Sequence, residues 1–361
     1  MTVYIIMLIL SVLSMYSYDK YFSRLSFRIC VTMRQFHVKF IHNLWMILPM
    51  LPMAIVGGIR YGVGQDYFYT YVPIFKKLLI GSSEDIWGEA GYILLNKLVQ
   101  LFTDDYAGIF IVTSFIFAFF IVNSIIENSN DKCFSIYLVI CSGYYFCSLN
   151  GIRQMLAASI LLYAIKFIVN RDKTKFMLLV ILASTIHLSS LIFIPIYFLS
   201  CLKLKNFHRI LITIVTFVFA GPLSSLLMRL LILTKYGWYF TAEGYKAERE
   251  GVVMILMNIC ILIYACILNK DEKSDLWIDI QMVAICITAF IGKIPVATRF
   301  IWYFGLPSII LIPNILMQLE DKKVKIVIKI MLAILYFIYF YYTLGIKNSN
   351  SVLPYQTIFS R

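Results

Sequence analysis

Acid, and charge of any kind, is scarce in this sequence. Asp and Glu number 19 and Lys and Arg 32, together 14% of 361 residues, where soluble chains carry roughly 25%. Histidine occurs four times, and none of the eight cysteines forms a C-x-x-C pair. H-E-x-x-H, a Walker loop and a D-x-D pair are also missing, which removes the signatures of a zinc hydrolase, a P-loop enzyme and a metal–nucleotide-sugar transferase. The cysteines lie mostly inside apolar runs and read as thiols packed as small apolar side chains. The basic excess gives a net charge of +13, but it is divided among apolar runs and forms no continuous stripe. That pattern excludes nucleic acid as a partner and suits the anchoring of membrane loops.

What is abundant is apolar: 61% of the residues are hydrophobic, more than one soluble core of this length can hide. A membrane helix needs roughly 20 such residues. Runs free of Asp, Glu, Lys and Arg cover 1–18, 43–59, 106–126, 133–152, 176–202, 210–228, 251–269 and 300–319. Three more, 154–170, 276–292 and 324–346, carry Lys166, Asp279, and Lys325 with Lys329. The first run lacks a basic leader and a small-residue cleavage site, so it reads as a retained helix. The expected fold is an all-α polytopic integral membrane protein, residues 1–361 forming a single transmembrane domain with about ten crossings.

Lys20, Arg24, Arg28, Arg34 and Lys39 place the turn after the first helix in the cytoplasm. Alternation then puts loop 60–90 outside and Arg171, Lys173 and Lys175 inside. The run 176–202 decides the remainder. Its two apolar halves, separated by His187 among Ser184, Ser189 and Ser190, predict a re-entrant helix pair near 176–200, which keeps Lys203, Lys205, Arg209, Lys322, Lys323 and Lys325 inside. A full crossing kinked at Pro195 is the alternative. On the re-entrant reading Arg60, Asp66, Arg153, His187 and Arg299 gather on the outer side, and loop 229–250 with Arg229, Lys235, Glu243, Lys246, Glu248 and Arg249 is outside too. Arginines there run against the usual charge bias and are candidates for binding an anion.

Four motifs carry the chemistry. In Arg60-Tyr-Gly62-Val-Gly64-Gln-Asp66-Tyr67 two glycines turn the backbone tightly and hold an Arg near an Asp at a membrane exit. Tyr67, Phe68, Tyr69 and Tyr71 follow, suited to an interfacial belt or to stacking on sugar rings. Glu89-Ala-Gly91 opens a short amphipathic segment at 91–103, where Glu89 either favours the positive helix end or adds a carboxylate to the site. Asn150-Gly-Ile-Arg153-Gln154 puts an Arg in the first turn of an apolar helix, a costly position unless it pairs or meets water. His187 is the one histidine inside a long apolar run; it is either a satisfied structural residue or a group exchanging a proton at neutral pH. Arg299-Phe-Ile-Trp-Tyr303 repeats the arrangement of an Arg at a helix start followed by aromatics.

Taken in order, Arg60-x-Gly-x-Gly-x-Asp66-Tyr67, Glu89-x-Gly91, Arg153-Gln154-x-Leu-Ala157, His187-x-Ser189 before Pro195, and the segment Pro354-Tyr355-Gln-Thr-Ile358-Phe359 resemble the EpsG family, which groups with the Wzy-type polymerases of bacterial exopolysaccharide, capsule and O-antigen. The likeness is dense over 55–200 and rests on hydropathy over 205–290. It implies a multi-pass protein of the bacterial inner membrane that joins oligosaccharide repeat units carried on undecaprenyl pyrophosphate at the periplasmic or outer face. The partners it implies are those lipid-linked oligosaccharides, membrane lipids, a chain-length regulator and other polysaccharide-assembly proteins. The residues fit that chemistry: Arg153 and Arg299 on the leaving pyrophosphate, Arg60 on the second lipid-linked unit, and His187 before Asp66 as base for the attacking hydroxyl. Glu89, Gln154, Tyr67 and Tyr303 complete the expected substrate contacts. The scheme uses no metal and no cofactor. A lipid-linked sugar flippase and a membrane O-acyltransferase with His187 as base are the alternatives.

Overall fold

The computed structural model describes residues 1–32, 35–82, 89–233, 252–294 and 297–361. The chain divides into two compact units, one formed by Met1–Ile192 with Lys322–Arg361 and the other by Phe193–Asp321. Of the outer loops read from the sequence, 83–88 and 234–250 lie outside the described residues. Those include Lys235, Glu243, Lys246, Glu248 and Arg249.

The first unit is a bundle of apolar helices: α1 (Thr2–Thr32), α2 (Gln35–Gly58), α5 (Ala107–Asn128), α6 (Lys132–Cys141) with α7 (Tyr144–Asn150), α8 (Ile152–Val169), α9 (Lys173–Ile186) and the helix Lys322–Phe340. Two short helices, α3 (Val72–Leu79) and α4 (Ala90–Gln100), join α2 to α5. Local chemistry starts the long ones. Asp131 accepts a hydrogen bond from the Phe134 N–H at the head of α6, and Asp172 does the same for Lys175 at the head of α9, each satisfying an orphan donor of a first turn. α8 has buried side chains around its whole circumference from Ile152 to Ile168. A helix apolar on every face belongs inside a bundle, and α8 packs between α5 and α9.

Ion pairs mark one end of this unit. Lys132 lies 2.8 Å from Asp19, Lys166 2.8 Å from Glu127, and Lys329 pairs with Asp131. The opposite end holds the exits of α2, α7 and α9, the start of α8, and the segment 351–361. The run 176–202 is broken where expected. α9 stops at Ile186, His187 is extended at φ −151° and ψ 109°, and a 3-10 turn over Leu188–Phe193 precedes α10 (Pro195–Leu199).

The sequence reading expects about ten crossings. Among the described residues five helices are long and apolar enough to span, or up to seven if each of two bent pairs is one span. The apolar run 176–202 is interrupted at His187, so that α9 and the turn after it are each shorter than a full span.

In the second unit the helix Asp275–Thr288 packs against α11 (Asn206–Ile232), Val252–Leu268 and Ala297–Gly305. Its core holds a pair that the sequence reading missed. Helix α11 begins at Asn206 and draws Arg209 out of the basic loop into its first turn, where Arg209 Nε donates to Asp279 Oδ1 at 2.7 Å. Both side chains are almost fully buried. The lone acid of run 276–292 is thus paired, the condition under which a charge is tolerated at such depth.

Candidate functional site

Glu89, Arg153 and His187 come from three separate stretches and meet at the end of the first unit away from the lysines. Glu89 is the residue before α4, Arg153 is in the first turn of α8, and His187 follows α9. Glu89 Oε2 accepts a hydrogen bond from Arg153 Nη1 at 2.8 Å, and Glu89 Oε1 accepts one from the Leu188 backbone N–H at 3.1 Å. His187 Nδ1 is 3.0 Å from the same Oε1, at ion-pair distance, yet Nδ1 is buried and out of line for a hydrogen bond. The three side chains are each 20–26% exposed, so the cluster is open at its surface. Arg153 also stands over the Tyr92 ring, its Cζ 5.8 Å from the centroid. Glu89 therefore does more than favour the positive end of α4: its side chain makes no capping bond there.

One glycine permits this meeting. A Cβ at Gly91 would stand 2.3 Å from Thr185 Oγ1 and 2.8 Å from the Thr185 carbonyl oxygen. Only a hydrogen at that position lets α4 reach the last turn of α9 and carry Glu89, two residues earlier, to His187. The E-x-G spacing is a contact requirement between two helices.

Arg60 has a different environment. Its side chain is 1% exposed. Nη1 donates to the Gly57 carbonyl and to Ser114 Oγ, the latter at 3.3 Å, and Nη2 donates to the Leu149 carbonyl at 3.3 Å. Those carbonyls belong to the last turns of α2 and α7, whose negative dipole ends attract a cation. Phe110 and Tyr67 flank the guanidinium, with Cζ 4.8 and 6.0 Å from their centroids. Gly64, at φ +97°, lets the loop after Arg60 approach α7; a Cβ there would be 2.5 Å from the Leu149 carbonyl oxygen. The segment 351–361 pairs along the same loop, with Tyr61 N–H on the Gln356 carbonyl and Ile358 N–H on the Ile59 carbonyl, both at 2.9 Å.

The other predicted residues divide by unit. Asp66 is half-buried, and its backbone N–H donates to Asn150 Oδ1 at 3.0 Å. It precedes a π-helical turn over Tyr67–Tyr71. Tyr67 and Tyr71 are buried, whereas Phe68 and Tyr69 are exposed, so the aromatic run is part core and part surface. Rings continue from Phe110 through Tyr71 to Tyr92 at centroid spacings of 6.4 and 6.0 Å, an aromatic wall between Arg60 and Arg153. Gln154 is buried in α8. Arg299 and Tyr303 belong to the second unit, the first exposed and the second buried in the helix Ala297–Gly305. Sequence reasoning did not find the Leu188 N–H, Ser114 or the pairing of 351–361. A backbone donor and a hydroxyl inside an apolar helix leave no signal in residue type.

Burial alone would raise the Glu89 carboxyl, but the His187 imidazole, the Arg153 guanidinium and the Leu188 N–H together hold it down at about 2. A depressed carboxyl adds stability that is complete above its unfolded value and is lost as pH falls through the folded one. The expected result is that the difference in unfolding midpoint between wild type and Glu89→Gln disappears only below about pH 4.5, through about 2. A difference that vanished between pH 7 and pH 5 would contradict it.

The sequence model of the EpsG family matches residues 43–357. No curated protein and no solved structure matches the chain.

Proposed function

The chain belongs to the EpsG family, and from that premise and the meeting of Glu89, Arg153 and His187 we propose that it is a polysaccharide polymerase. In this reading it joins oligosaccharide repeat units carried on undecaprenyl pyrophosphate at the outer face of the bacterial inner membrane. The long apolar helices make it a multi-pass membrane protein, and the family assigns it to polysaccharide biosynthesis. The observation that carries the reaction is the cluster itself: a cation for a leaving phosphate, and an imidazole with a carboxylate behind it, at one mouth of the bundle.

In the resting site Glu89 lies on the Nδ1 side, so the His187 ring keeps its proton there and Nε2 takes the proton of the attacking sugar hydroxyl. The hydroxyl oxygen forms its bond to the anomeric carbon of the donor unit. The bond from that carbon to the pyrophosphate oxygen breaks, and its electron pair leaves with the pyrophosphate. Arg153 stabilises the charge that grows on that oxygen, an interaction stronger in the transition state than before it. Asp66 is the second choice as base. Gln154, beside Arg153, is proposed as a substrate contact, and exposed Phe68 and Tyr69 as stacking surfaces for sugar rings. Arg60, spent on helix-end carbonyls, and buried Tyr67 support the loop that carries Asp66.

The test is the length of surface polysaccharide in cells expressing Arg153→Ala or His187→Ala at wild-type level. Loss of either group is expected to lower polymerisation by about 100-fold or more, leaving single capped repeats. Long polymer from both variants would overturn the reading. Loss of all surface repeats would point to a flippase, and full-length polymer without acyl groups to an acyltransferase.

A further inference from the structure

The ligands of the Glu89 carboxylate are a guanidinium, a backbone N–H and, nearby, an imidazole. Arg153 contributes at 2.8 Å, the Leu188 N–H at 3.1 Å, and His187 Nδ1 lies 3.0 Å away. That donor set would equally recognise an oxygen of a phosphate. The carboxylate reaches His187 Nδ1 at ion-pair distance, 3.0 Å, but without hydrogen-bond alignment. Ser190 Oγ, three residues further along the same turn and fully buried, is unpartnered. Glu89 is 23% exposed, so its carboxylate has an outward route that needs no helix to move.

We infer that Glu89 is an internal stand-in for the phosphate-type anion of the substrate, occupying the anion site of Arg153, His187 and the Leu188 N–H until the substrate displaces it. The inference rests on the polymerase reading for the identity of the anion, and deepens it by giving the site a resting occupant. Exchange replaces one negative group by another, so Arg153 is never left as an uncompensated charge, which would be costly at this depth. The displaced carboxylate moves to water. A pyrophosphate brings more charge and more acceptor oxygens than a carboxylate, enough to align one on His187 Nδ1 while others stay on Arg153 and the Leu188 N–H. The empty site is therefore protected from small monovalent anions and yields to a polyvalent one.

The prediction is a split between affinity and turnover. Glu89→Gln is nearly isosteric and removes the competing charge. Purified full-length Glu89→Gln in detergent is expected to bind inorganic pyrophosphate at least about tenfold tighter than wild type by calorimetry, the scale of one charged hydrogen bond. Its turnover falls meanwhile, because pyrophosphate held more tightly leaves the site more slowly. Adding Arg153→Ala to Glu89→Gln is expected to abolish the gain. Should Glu89→Gln fold poorly, Glu89→Asp, which draws the carboxylate back by one methylene, is expected to tighten binding to a smaller degree. Equal or weaker pyrophosphate binding in these variants overturns the inference, since a carboxylate that merely locks three helices together would lower affinity and turnover alike. The two readings fail separately. Long polymer from Arg153→Ala and His187→Ala sinks the polymerase and leaves the anion exchange, whereas unchanged pyrophosphate affinity in Glu89→Gln does the reverse.

Discussion

Arg60→Ala is expected to destabilise the protein by about 3 kcal/mol or more. The guanidinium, 1% exposed, ties the Gly57 carbonyl of α2 and the Leu149 carbonyl of α7 to Ser114 of α5. Removing it leaves two helix-end carbonyls without their donor in a site closed to water, each costing roughly 1–3 kcal/mol. It also opens a cavity beside Phe110, whose ring lies 4.8 Å from the guanidinium carbon, with a penalty that grows with the volume left unfilled. Lysine is not a substitute: one ammonium on a flexible stem cannot reach three acceptors set apart in a plane. The measurement is thermal unfolding of the purified variants in detergent. Both Arg60→Ala and Arg60→Lys should unfold well below wild type, and an Arg60→Ala midpoint within 2 °C of wild type would contradict the structural role. Loss of polymer in these variants accompanies loss of fold, in contrast to Arg153→Ala.

On the proposed polymerase reading, Gly91→Val is expected to reduce polymerisation by about two orders of magnitude or more. With a Cβ only 2.3 Å from Thr185 Oγ1 and 2.8 Å from the Thr185 carbonyl oxygen, α4 must withdraw from α9. The carbonyl is backbone and cannot rotate out of the way. Glu89 is carried with α4, so its contacts with His187 and the Leu188 N–H lengthen together. Displacement of a catalytic group by about 1 Å costs on the order of 100-fold. Gly91→Ala carries the same first carbon and should lose activity too, by a smaller factor. Polymer length, with membrane expression checked in parallel, is the readout. Wild-type polymer from Gly91→Val would mean that the α4–α9 contact does not position the site.

Much of this was legible in residue order. The runs of apolar residues determine an all-helical membrane chain, because hydrocarbon admits backbone only where its polar groups are satisfied within the segment. The break at His187, the short helix after Glu89 and the start of α8 just before Arg153 all follow from glycines, capping residues and composition read along one dimension. The family is legible for the same reason, since its motifs are local. The crossing count is not, because a run of apolar residues looks the same whether one helix crosses or two short ones bend.

Partnership is what only the tertiary structure decided. Arg60 and Arg153 look alike in sequence, each a lone arginine at the edge of an apolar run, yet one is buried on helix-end carbonyls and the other meets a carboxylate at an open surface. Arg209, read as one more basic loop residue, proves to be the counter-ion of Asp279. The physical reason is common to all three. A charge in an apolar setting is governed by the groups within a few ångströms of it, and those groups come from residues 54, 64, 70 and 89 positions away. Residue type says that an arginine at such a place must be compensated. Which atoms compensate it is settled only when the helices pack.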